Sequence, residues 1–144
     1  MMKLKFFLIL LCVFPILVFG QEEENEKPKE YPIDIELKEC LSKEENFTTN
    51  GMLGCTDKAY KEWDKELNVV YQMLMSKLTS SEKVTLKKAQ IEWIKFRDLE
   101  FKNIDSIYDK LQGTMYIPMR VNEKMQIVRT RVLQLDGYDQ LLIF

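Results

Sequence analysis

Histidine is absent from the 144 residues, which excludes Ser-His-Asp and Cys-His catalytic arrangements, HExxH zinc sites and every imidazole general base. Glycine is scarce. Its five scattered copies form no GxGxxG loop and no GxxxxGKS-type loop to cradle a phosphate. Basic charge is not in excess either, since 21 Lys and Arg face 23 Asp and Glu, so nucleic acid is not an expected partner. At 46% hydrophobic and 31% charged residues, the composition suits one small folded domain.

What is present begins with an export pattern. Lys3 and Lys5 precede an apolar run from Phe6 to Phe19, and Gly20 follows as a small residue with Val18 two positions before it. This reads as a signal peptide over residues 1–20, cleaved after Gly20. The uncharged run falls short of the roughly 20 residues that span a bilayer, so no membrane span is expected after cleavage. A lipid anchor on Cys12 would need a small residue before it, and Leu11 stands there. The mature chain then carries 19 basic and 23 acidic side chains, a formal charge of −4. Export leaves Cys40 and Cys55 as its cysteines, and an oxidising compartment, periplasmic or extracellular, implies one disulfide between them. Two cysteines without histidine do not make a metal site.

Residues 21–34 combine acids, lysines, Pro28 and Pro32 with little apolar content, and read as a flexible acidic arm. A helical domain is expected over 35–137 and a C-terminal tail over 138–144. Ile35, Leu37 and Leu41 suggest a short first helix, ending in the polar stretch from Ser42 to Asn50. Met52, Cys55, Ala59, Trp63, Leu67, Val70, Leu74 and Leu78 recur every three or four residues, one face of a long amphipathic helix. Thr79 and Glu82 have the spacing of a capping box. They open a second long helix with the expected stripe Leu86, Ala89, Trp93, Phe96, Ile104, Ile107 or Tyr108, and Leu111, closed by Gly113. Pro118 starts a last helix whose stripe is Val121, Met125, Val128, Val132 and Leu135, with Gly137 as its stop. The fold class is therefore all-α: a small antiparallel helical bundle built on a long helical hairpin, with one disulfide. The tail ends in LLIF and is expected to pack onto the bundle.

Polar residues lie close to the apolar stripes: Asp64, Asn68 and Tyr71 on the first long helix, Gln90, Arg97 and Asp98 on the second. They read as a structural network, in which Asn68, Gln90 and Arg97 hydrogen-bond across the helix interface and fix its register. The acid pair Glu62 and Glu66 lies one turn apart on a solvated face, where no desolvation raises a carboxyl pKa. No candidate base, nucleophile or cofactor loop remains, so neither catalysis nor a cofactor or metal is expected. Met115, Tyr116, Ile117 and Met119 are apolar, adaptable residues in a connection between helices, and form the candidate partner-binding loop.

Taken together, D-x-x-L-N-x-x-Y from Asp64 to Tyr71, A-Q-x-x-W-x-x-F-R-D from Ala89 to Asp98, the Cys40 and Cys55 pair, Arg131 and Leu135 resemble the family of lysozyme inhibitor LprI-like N-terminal domains, which includes YecT-type proteins. The resemblance covers about residues 40 to 135. It implies an exported, non-catalytic envelope protein that inhibits lysozyme, the alternatives being one that binds another envelope protein and, behind it, a cell-wall-active enzyme, and it carries over no catalytic residue. Relatives usually hold a second cysteine pair. Phe101 occupies the first of those positions and the Asn122 to Glu123 region the second, so both are lost together and Phe101 is expected to replace the cross-link by apolar burial.

Overall fold

A computed structural model describes residues 30–142 as four α-helices and one short 3-10 turn, with no strand among the described residues. The order is α1 (Pro32–Leu41), the 3-10 turn (Glu44–Asn46), α2 (Thr49–Lys77), α3 (Ser80–Tyr108) and α4 (Tyr116–Gln140). The expected signal peptide, the arm as far as residue 29, and the last two residues of the tail lie outside the described residues. No described helix is long and apolar enough to cross a membrane.

The long helices begin where their caps dictate. The Thr48 hydroxyl accepts from the Gly51 amide at 3.1 Å to open α2. At α3 the Glu82 carboxylate accepts from the Thr79 amide at 2.8 Å and from the Thr79 hydroxyl at 2.6 Å. Those bonds hold the Glu82 carboxyl below its ordinary range.

The apolar stripes of α2 and α4 face each other and make the core. Trp63, Val70, Met125, Val128, Val132 and Leu135 are fully buried, each contributing about 1.5–3 kcal/mol relative to exposure. Ala59 and the three valines are small enough to let the two backbones approach closely. The Leu78–Thr79 link turns the chain back into α3, and Tyr60 meets Phe101 edge to face at 6.3 Å across the two helices. The bundle is thus all-α as the sequence implied, with α4 as the tightest partner of α2.

The disulfide Cys40–Cys55 forms, with its Cα atoms 5.8 Å apart. Closing a loop of that size is worth about 3 kcal/mol in the chain-entropy view. It pins the end of α1 to α2, while the Asn46 amide donates to the Cys40 carbonyl at 2.8 Å beneath it.

Four expectations need correction. The arm does not extend to residue 34, because Tyr31 is buried against Trp63 at 5.2 Å between ring centroids and Asp34 pairs with Arg129 at 2.7 Å. Pro32 does not break this segment; it sits at the start of α1, where its missing amide costs nothing. α3 ends at Tyr108 rather than Gly113, which instead takes a left-handed φ of +116° in the following loop, and Leu111 is exposed. α4 runs through Gly137 to Gln140, carrying Tyr138 into the helix. Leu141 and Leu142 are exposed rather than packed.

The inward stripe of α3 also differs. Leu86, Trp93, Phe101 and Ile104 face the bundle, whereas Ala89, Phe96 and Ile107 are exposed. Apolar residues surround this helix on all sides, with Val84, Ile91 and Leu99 outward as well, so apolar periodicity alone does not select a face.

Candidate functional site

The segment expected to bind a partner is mostly helix. Tyr116 to Met119 form the first turn of α4, and Thr114 before them ties to Thr49 through hydroxyls 3.1 Å apart. Pro118 turns inward and is buried, and Tyr116 packs edge to face on Tyr108 at 6.4 Å. That orientation leaves Met115, Ile117 and Met119 exposed at 57%, 48% and 43%. Beside them an apolar cleft of about 340 Å³ opens between α1, α2 and α4, with Leu41, Met52, Met115 and Met119 in its walls.

The polar residues expected to form one network are divided by the fold. Asp64, Arg97 and Asp98 line a cleft of about 530 Å³ between α2 and α3, with Tyr60 and Phe101 behind them. Burial pushes the Tyr60 hydroxyl above its ordinary pKa there. Arg97 donates to its neighbour Asp98 at 2.7 and 3.0 Å and lies over Trp93 and Phe101 at 5.6 and 5.7 Å, making no hydrogen bond to another helix. Asn68 is exposed and donates to the Asp64 carbonyl one turn back in its own helix. Tyr71 is half-buried against the core. Gln90 alone of the six bonds across helices, and its partner is on α4.

That partner, Arg131, stands outside the expected network. It is 8% exposed, donates from Nε to Gln90 at 3.0 Å and from Nη1 to Gln134 at 2.6 Å, and lies over Trp93 at 5.8 Å. Burial lowers its pKa, because the charged form is held from water. The detectable signal is a guanidinium inside the apolar stripe, between Val128, Val132 and Leu135. Trp93 and Arg131 wall a groove of about 450 Å³ between α3 and α4.

Among the described residues, no three or more acidic or cysteine side chains converge as a metal site would require.

Comparison with known families matches residues 40–135 to the family described as Lysozyme inhibitor LprI, about two thirds of the chain. The chain belongs to the LprI family. Among solved structures, an uncharacterised protein from Burkholderia thailandensis shares the fold at a TM-score of 0.73 and 28% identity. The alignment covers 78% of this chain and 56% of the other, so the chain spans little more than half of that protein's length. No curated protein matches.

In this LprI-family chain the residues of the pattern serve distinct ends. Leu67 and Leu135 are core, Gln90, Trp93 and Arg131 join α3 to α4, and Arg97 with Asp98 faces the α2–α3 cleft. Phe101, expected to replace a lost cross-link by apolar burial, is only half-buried, and Lys124 of α4 lies 5.6 Å from its ring. Lys124 also donates to Asp105 at 2.6 Å, so a cation–ring contact and an ion pair bridge α3 and α4 there.

Proposed function

We propose that the protein is an exported, non-catalytic binding protein of the cell envelope that inhibits a lysozyme-type muramidase. Membership of the LprI family is the observation that carries this reading. The amino-terminal export pattern supports a location where such an enzyme acts, and a mature charge of −4 suits a cationic partner. The exposed trio Met115, Ile117 and Met119, beside an apolar cleft, offers adaptable contact area that a charged surface alone lacks. Docking at this end of the bundle therefore combines long-range attraction with local apolar burial. Another envelope protein docking on the same end is the runner-up.

The test is calorimetric titration of the disulfide-bonded mature protein into lysozymes of several classes, beside an Ile117→Asp, Met119→Asp double variant. Both side chains are exposed, so the variant should fold normally while losing at least about tenfold in affinity through desolvated charge in the contact. Undiminished binding by that variant would remove this end of the bundle from the interface. Absence of binding to every lysozyme class would leave the runner-up.

A further inference from the structure

We infer that the groove between α3 and α4 is a binding site for a short zwitterionic peptide of about three residues, its carboxylate seated on Arg131 and its ammonium held by Glu100 and Glu123. This site meets the partner-binding end of α4 at Glu123, which lines both clefts, but its ligand is different and it does not depend on lysozyme recognition.

Arg131 supplies the first observation. A guanidinium buried to this degree ordinarily has a carboxylate partner, yet among the described residues Arg131 bonds only to the neutral amides of Gln90 and Gln134. It lines the groove, so an incoming carboxylate can complete its hydrogen bonding in a partly desolvated place, where charged hydrogen bonds are strong.

The other end of the same groove supplies the second. Glu100 and Glu123 line it, and neither pairs with a lysine or arginine among the described residues. Glu123 and Arg131 both lie on α4, separated by about 12 Å along its axis at 1.5 Å rise per residue. Three extended peptide residues span about 10–11 Å between their ends. Gln126, Thr130 and Gln134 run along the groove between the charges and offer both donors and acceptors, as peptide bonds require. Trp93, Phe96 and Ile127 give apolar wall for side chains, and the volume of about 450 Å³ is of small-ligand size.

The test follows the indole N–H resonances of the disulfide-bonded protein during titration with trialanine, its C-terminal amide and its N-acetyl form. Trp93 lines the groove and Trp63 is fully buried in the core, so Trp63 serves as the internal reference. Trialanine should shift the Trp93 signal saturably and leave Trp63 unmoved, with the amide and acetyl forms each at least about tenfold weaker. Gln134→Glu gives Arg131 an internal carboxylate in place of an amide already 2.6 Å away, and should abolish trialanine binding without unfolding the chain. Glu123→Gln should weaken trialanine but leave the acetyl form unchanged. No saturable shift, equal binding of free acid and amide, or normal binding by Gln134→Glu would each overturn the proposal.

Discussion

Tyr31 shows how one side chain can extend a domain. Its ring covers Trp63, and its hydroxyl donates to Asp136, which also accepts from Gln140 at 2.8 Å. Burial, and then the bond to Asp136, push the Tyr31 pKa well above its ordinary value. A raised folded value means that the contribution is complete below the unfolded pKa of about 10 and is lost as pH rises beyond it. Thermal melts followed by circular dichroism should therefore show the wild type losing stability above about pH 10 more steeply than Tyr31→Phe. At neutral pH that variant should be about 1–3 kcal/mol less stable, since it strips a donor from a buried carboxylate. Equal slopes for the two proteins would show that the Tyr31 hydroxyl is not linked to folding. In the sequence Tyr31 is hidden by its neighbours: acids, lysines and two prolines dominate any window around it, and the partners Trp63 and Asp136 are distant along the chain. Arg131 is marked in the sequence by its place between Val128, Val132 and Leu135, but only the fold shows which amides reach it.

At the scale of helices, the legible elements were those with one partner face. α2 and α4 carry single clean stripes, and nearly every residue of those stripes is buried. α3 was legible as a helix, through its cap, but not in orientation, because polar Gln90 and Arg97 sit on its inward side while Phe96 and Leu99 sit outside. Glycine does not mark the helix ends here: α3 stops at Tyr108, ahead of Gly113, and α4 continues through Gly137. Gly137 is helical with open space around its Cα, whereas a Cβ at Gly51 would stand 2.5 Å from the Asn46 Cα. The two glycines should therefore respond in opposite directions. Gly137→Ala should stabilise the chain by about 0.5–1 kcal/mol, by removing backbone freedom from the unfolded state. Gly51→Ala should destabilise it by about 1–3 kcal/mol, as the 3-10 turn is forced off α2. Urea denaturation of both variants checks the pair, and destabilisation by Gly137→Ala would return that residue to the role of helix stop.

For the molecule as a whole, one disulfide and the contacts of Tyr31 and Asp34 fasten α1 to a core made by α2 and α4, leaving the α4 end and two clefts open to partners. The fold class, the disulfide and the family were all legible from apolar spacing, cysteine count and two polar motifs. The division of the polar residues between clefts was not, because it depends on how far α3 stands from α2. The proposed activity is inhibition of a muramidase by binding, without chemistry by this LprI-family chain itself. Its most direct test is titration of the mature, disulfide-bonded protein into lysozyme assays at low and physiological salt, with peptidoglycan turnover by the protein alone measured alongside. The expected result is dose-dependent inhibition that saturates, weakens as salt screens the −4 charge, and is accompanied by no turnover above buffer. Turnover by the protein alone, or full activity of every lysozyme class at saturating protein, would contradict it.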